Sequence, residues 1–254
     1  MDLNFNNKTV IVTGSVQGIG REIAETFALN GAAVVINNYT DGERLESVAE
    51  EIRQKGGKVK AVIADVTKED EAKKLIDAAL EMGSTIDILV NNAGGLIKRV
   101  PIAEFDDDHF NTIMNVNLKT SFIMAKLVAP YFKKQGSGKV INLSSQAAHD
   151  GGGPGAAAYA ASKGGVWTFT KSLAKELAPS GVTVNCVSPG FIASTDFHNT
   201  FTSPEVHEKV KGMIPLGRLG EARDIARVVY FLASELGDYV NGQSIEVNGG
   251  LYMP

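Results

Sequence analysis

Short β-branched runs alternate with longer amphipathic stretches along this chain, and few folds accommodate that rhythm. The runs are TVIVTG near Thr9, AAVVINN near Ala33, KVKAVIAD near Lys58 and IDILVNNAG near Ile86. KVINLSS near Lys139, VTVNCVSPG near Val182 and QSIEVNGG near Gln243 follow. Several are apolar at successive positions, as strands covered on both faces are. Between them GIGREIAETFALNG, AEEIRQKGG and DEAKKLIDAALEMG read as helices that close on glycine. The alternation predicts an α/β fold, a doubly wound parallel sheet of about seven strands with helices on both faces. No repeat, linker or low-complexity tract interrupts it, so residues 1–254 read as one domain. In such a sheet, ligands sit beyond the carboxyl ends of the strands, where the strand order switches.

Composition removes several classes of function. A net charge of −4 provides no basic field for nucleic acid or a membrane surface. No stretch reaches the roughly 18 apolar residues of a membrane span. The opening MDLNFNNK has neither the basic region nor the apolar run of a signal peptide. The single cysteine, Cys186, lies in the apolar run VTVNCVS and reads as a packed thiol. No disulfide can form within the chain, which fits a cytoplasmic location. His109, His149, His198 and His207 are scattered without metal-ligand spacing, so no metal is expected.

TGSVQGIG, Thr13 to Gly20, follows the first run and opens the first helix. Glycines at 14, 18 and 20 permit a tight turn and a close backbone approach to a pyrophosphate. Gly14, Ser15, Gln17, Gly18, Ile19 and Gly20 are therefore candidate cofactor-binding residues. With NNAG (Asn91 to Gly94), YAASK (Tyr159 to Lys163) and SPG (Ser188 to Gly190), this turn resembles the short-chain dehydrogenase/reductase family. The motifs occur in the family's order and span nearly the whole chain. The resemblance implies a Rossmann-like fold, a nicotinamide cofactor and a homotetramer. It also implies adenine contacts from Asp65 and Val66 and a ribose wall from Asn92, Ala93 and Gly94. Pro189, Gly190 and Ile192 match the wall that holds the carboxamide, and Ser194 or Thr195 matches the family's threonine there.

The second run ends in INNYTDG. An acidic residue there would hold the adenosine ribose and repel a 2′-phosphate. Asn38 stands in that position, followed by Tyr39 and Thr40, and no arginine stands there or at Gln17. Without the repelling carboxylate, NADP(H) is favoured over NAD(H), with dual use open.

Tyr159 and Lys163 lie four apart, on one face of a helix. An ammonium about 4 Å from the phenol, at an effective dielectric near 20, is worth about 4 kcal/mol. That interaction would lower the phenol's pKa by as much as about three, before opposing desolvation. Tyr159 is thus expected to exchange a proton near pH 7. The resemblance adds Ser145 as the hydroxyl that orients the reacting oxygen, with Ser144 as the substitute. It adds Asn117 as the residue that holds a water behind the lysine, with Asn115 nearby.

For substrate, the segment 191–216 reads as a lid. NNAGGL, HDGGGPGA and the FH pair at Phe197 and His198 are similar to bacterial reductases of keto-sugar acids, the 4-deoxy-5-ketouronates. Lys98, Arg99, His149 and His198 are the loop cations that would meet such a carboxylate. The alternative is a 3-oxoacyl-(acyl-carrier-protein) reductase that docks its acidic partner on Lys126, Lys133, Lys134 and Lys139. A non-catalytic cofactor-binding regulator is the alternative from another class.

Overall fold

A computed structural model describes residues 3–193 and 204–254. Among the described residues seven strands form one parallel sheet in the order β3-β2-β1-β4-β5-β6-β7. They are β1 (Thr9–Val12), β2 (Ala33–Asn38), β3 (Lys58–Ile63), β4 (Ile88–Asn91), β5 (Gly138–Leu143), β6 (Val182–Pro189) and β7 (Ser244–Val247). The three helices between β1 and β4 are α1 (Gly18–Leu29), α2 (Gly42–Gln54) and α3 (Glu69–Met82). Then come α4 (Asp107–Met114), α5 (Thr120–Gln135), the short α6 (Ala147–Asp150) and α7 (Ala157–Leu177). The last two are α8 (Pro204–Met213) and α9 (Ala222–Ala233).

The strand sequences explain the two layers of helices. In β1, Val10 and Val12 join one apolar cluster and Ile11 the other, and β2 divides Val34 and Ile36 from Val35 in the same way. These central strands therefore bury both faces. One cluster fills the space under α1, α2 and α9, where Phe27 packs edge-on against Phe5 at 4.9 Å. The other lies under α3, α5 and α7 and includes the fully enclosed ring of Phe132. Gly138 sits on that ring, and a Cβ there would come within 2.6 Å of it.

Two features of the sheet create the site. β1 pairs with β2 on one side and β4 on the other, so the connections leave its carboxyl end in opposite directions. Between α4 and α5 the helix widens into a π-turn over Asn115–Lys119, and the Thr120 N–H donates to the Asn115 carbonyl. Such turns are frequent at functional sites. This one carries the Asn117 side chain into the interior, 1 % exposed, beneath the loop after β4.

Replacing Phe132 by alanine removes an enclosed ring and should cost about 3–5 kcal/mol. Urea unfolding measures this, and a loss under about 1 kcal/mol would show that the core closes over the gap.

Candidate active site

A cleft of about 620 Å³ runs across the carboxyl ends of the strands, with the turn after β1 at one end and Tyr159 at the other. Thr13 organises the first end. Its hydroxyl oxygen accepts from the Asn92 and Ala93 N–H groups, each at 3.0 Å, so the exits of β1 and β4 are tied together. Asn92 returns the tie, its amide donating to the carbonyls of Thr13 at 3.1 Å and Gly14 at 2.8 Å. Glycine is obligatory at two positions of this turn. Gly14 has φ +60 and a Cβ there would strike Ala93 Cα at 2.9 Å; a Cβ on Gly20 would lie 2.4 Å from the Gly14 carbonyl oxygen. The turn can therefore pack tightly against Ala93 and Asn92 at the α1 N-terminus.

At the other end Ser145, Tyr159 and Lys163 line the same cleft. Tyr159 and Lys163 come from one face of α7, and the Tyr159 hydroxyl is hydrogen-bonded to Ser145. Ser145 leaves β5 and its Oγ accepts from the Ala147 N–H at 3.2 Å. Ser144 points the other way, its hydroxyl donating to the Lys163 carbonyl at 2.9 Å. The Lys163 ammonium is buried, 5 % exposed, and donates to the Leu143 carbonyl at 2.7 Å. It lies 5.9 Å from the centre of the Tyr159 ring.

The electrostatics run opposite to the expectation from spacing. Burial pushes the Tyr159 phenol above its ordinary value, and the bond with Ser145 only partly opposes it. Burial also pulls Lys163 down, to about 8. Desolvation disfavours both charged forms, and the ammonium is spent on a carbonyl rather than on the phenol. In this state Tyr159 is a neutral proton donor across the physiological range.

A family model described as Enoyl-(Acyl carrier protein) reductase matches residues 14–252. The 3-oxoacyl-(acyl-carrier-protein) reductase FabG of Staphylococcus epidermidis is 43% identical over 251 residues, 97% of this chain and 100% of that one. An NADPH-dependent aldehyde reductase-like chloroplast protein of Arabidopsis thaliana is 44% identical over 260 residues, 98% and 95% of the two chains. A 7α-hydroxysteroid dehydrogenase, solved with NADH and 7-oxo glycochenodeoxycholic acid, superposes with a TM-score of 0.92 at 34% identity, covering 98% and 96%. The chain belongs to the short-chain dehydrogenase/reductase family. It is an oxidoreductase with the Rossmann-like sheet of that family.

Not every residue expected at the family's site reaches the cleft. Gly14, Gln17, Gly18, Ile19, Gly20, Asn92 and Gly94 line it, as do Pro189, Gly190 and Ile192. Ser15 does not: it is fully buried, with its hydroxyl donating to the Val12 carbonyl at 2.8 Å and accepting from the Asn37 N–H at 2.9 Å. Ala93 backs the turn at Gly14. Asn38, Tyr39, Asp65 and Val66 stand beyond the cleft lining, at or just after the ends of β2 and β3. The Asn38 oxygen accepts from the Tyr39 N–H at 3.0 Å. Asp65 accepts from the Thr67 N–H and hydroxyl; its carboxyl is held low by those bonds and by Lys68, against the effect of burial. Ser194, Thr195 and His198 lie outside the described residues. Asn117 sits behind the cleft and its amide is already engaged, donating to the Gly95 and Ile113 carbonyls and accepting from the Gly95 N–H. Its side chain thus pins the loop after β4, directly behind Gly94 and Lys163. Cys186 is buried and its thiol is pushed up by burial, which makes it inert.

Gln146 was not among the expected residues. It lines the cleft, and its Oε1 is a buried acceptor without a partner among the described residues, close to Gly190. Only its position directly after Ser145 hints at this in the sequence.

Asn92→Ala leaves two carbonyls at the strand exits without their donor and should cost about 1–3 kcal/mol. Denaturant unfolding tests this; an unchanged midpoint would mean that Thr13 alone holds the exits together.

Proposed function

We infer that the protein transfers a hydride between a nicotinamide dinucleotide and a carbonyl or secondary alcohol carbon. One observation carries this reading: Ser145, Tyr159 and Lys163 share one cleft with a glycine-rich turn at a helix N-terminus. The residues present fit such a cofactor. The glycine-rich turn at the α1 N-terminus lines the cleft and suits a pyrophosphate, and the orphaned Gln146 Oε1 near Gly190 suits an amide donor. Gly14, Gln17, Gly18, Ile19 and Gly20 would hold the phosphates. Asn92 and Gly94 would flank the ribose, and Pro189, Gly190 and Ile192 the carboxamide. When bound, the nicotinamide supplies or accepts the hydride.

In the reduction direction Tyr159 donates its proton to the substrate oxygen; burial keeps that proton on the phenol until transfer. Ser145, already bonded to that phenol, orients the same oxygen. Lys163 holds the ribose hydroxyls while charged, and Asn117 keeps Gly95 and the π-turn in place behind it. Of the segment 191–216 expected to act as the lid, the described Val210 and Met213 line the cleft. NADP(H) is favoured over NAD(H), with dual use open. Asn38 supplies no carboxylate at the end of β2, and the nearby Asp41 carboxylate caps α2 by accepting from the Arg44 N–H at 3.0 Å. Relatives point both ways, one being named NADPH-dependent and another holding NADH.

Similarity over the whole chain supports a 3-oxoacyl thioester as substrate. The basic patch imagined for a carrier protein is largely neutralised, since Lys126 pairs with Glu69, Lys133 with Glu176 and Lys139 with Asp238. A keto-sugar acid is the second reading, favoured by a cation in the cleft lining, Arg99. Nicotinamide absorbance with an acetoacetyl thioester and a ketouronate, each with both cofactors, separates the two. Turnover of the thioester alone would remove the sugar acid.

Tyr159→Phe should keep cofactor affinity and lose roughly 10²–10⁴ in kcat. Near wild-type turnover would overturn the acid role. Because Lys163 carries its charge only below about 8, dinucleotide affinity should fall as pH rises through that value. Titration calorimetry from pH 6.5 to 9.5 measures this, and Lys163→Met should flatten the profile. A wild-type affinity that is constant over that range would sink the ammonium's role.

A further inference from the structure

Four loop cations were candidates to meet an anionic substrate, and the fold separates them. Lys98 and Arg99 are both exposed, but Lys98 is outside the cleft lining. His149 is turned away from it, 3.0 Å from Glu246 and packed against Trp167. His198 lies outside the described residues. Arg99 lines the cleft, together with Tyr159, Ser145 and Gly153.

Arg99 is also seated. Its Nη1 donates to the Pro154 carbonyl at 3.0 Å, and the Val100 N–H donates to the Gly155 carbonyl at 3.2 Å, fixing the backbone beside it. The glycine run explains how the side chain fits. A Cβ on Gly153 would lie 3.3 Å from Nη1, and one on Gly155 would lie 3.0 Å from the Arg99 Cβ. Side chains at either position would push on the arginine.

Its charge is unspent. Arg21, Arg53, Arg218 and Arg223 each pair with a carboxylate; Arg99, like Arg227 outside the cleft, makes no ion pair among the described residues. The carboxylate nearest in the chain on the cleft wall, Asp150, is already bonded by the Gln146 amide at 2.7 Å and the Gly152 N–H at 2.8 Å. One guanidinium nitrogen is anchored to a neutral carbonyl, and the rest of the fork is left for a guest. A guanidinium held in this way binds carboxylate or phosphate oxygens with direction as well as charge.

We propose that Arg99 is the specificity-determining residue of the cleft and receives an anionic group carried by the carbonyl substrate. The proposal rests on the oxidoreductase reading above and adds the substrate's charge to it. A carboxylate on a keto acid and the phosphate of a phosphopantetheine thioester offer the same chemistry, and matched substrate pairs tell them apart. One pair is a ketouronate and its methyl ester. The other is a 3-oxoacyl phosphopantetheine thioester and the uncharged N-acetylcysteamine thioester.

In wild-type protein the charged member of one pair should be preferred in kcat/KM, mainly through KM. Arg99→Gln should cut that preference by about tenfold or more, with Arg99→Lys intermediate because it keeps the charge without the fork. Gly153→Val, at a position without positive φ, should act in the same direction by displacing the guanidinium. Loss confined to the first pair assigns a carboxylate, and loss confined to the second a phosphate. A preference unchanged in Arg99→Gln, while Tyr159→Phe still abolishes turnover, overturns this proposal and leaves the oxidoreductase reading standing. Should neither pair turn over, calorimetry with malonate and with phosphopantetheine on the dinucleotide-loaded protein still decides. Binding by wild type that Arg99→Gln loses supports the seat; no binding, or equal binding, overturns it.

Discussion

The site depends on the way two strand ends are held apart and together at once. β1 and β4 are neighbours whose following chain segments diverge, and divergence leaves backbone donors and acceptors without sheet partners. Burying those groups unpaired would cost as much as several ordinary hydrogen bonds return. Thr13 and Asn92 satisfy them reciprocally, one hydroxyl taking two N–H groups and one amide serving two carbonyls. Asn37 extends the same logic to the next strand, its amide donating to the Asn38, Val62 and Ala64 carbonyls. The glycine turn can therefore stay open without collapsing into the gap.

At the chemical end desolvation outweighs attraction between the two titratable groups. A phenol and an ammonium one helical turn apart suggest mutual stabilisation of charge. The folded chain surrounds both with protein and gives the ammonium a carbonyl at 2.7 Å, so each is moved toward its neutral form. A site in that condition keeps the phenol protonated until a bound substrate or cofactor changes its surroundings. It also makes charge on Lys163 sensitive to pH just above neutrality, where a lysine in water is fully protonated.

Close packing, rather than charge, accounts for several residues that a motif reading assigns to the cofactor. Ser15 lies within the glycine fingerprint yet faces the core, because the turn that frees Gly14 rotates the next side chain inward. Asn117 is built into a π-turn and spends its amide on Gly95. Both support the geometry of the site from behind. The glycine run before α7 shows the reverse case, where missing side chains make room for the Arg99 guanidinium.

The strands, the glycine turn and the Tyr159–Lys163 pair were legible in the sequence because each is a local pattern. Apolar runs must be buried on both faces, a turn with φ near +60 at Gly14 requires glycine, and a four-residue interval fixes two side chains on one helical face. The choice of Ser145 over Ser144 came with the family resemblance, while where Asn117 and Ser15 point and which loop cation reaches the cleft could not be read from the sequence. Nor could the direction in which Tyr159 and Lys163 shift. These follow from groups far apart in the chain, such as Leu143 against Lys163 or Pro154 against Arg99, that meet only when the sheet closes. Sequence spacing sets which side chains can share an element; the dielectric and the hydrogen-bond partners around them exist only in the packed structure.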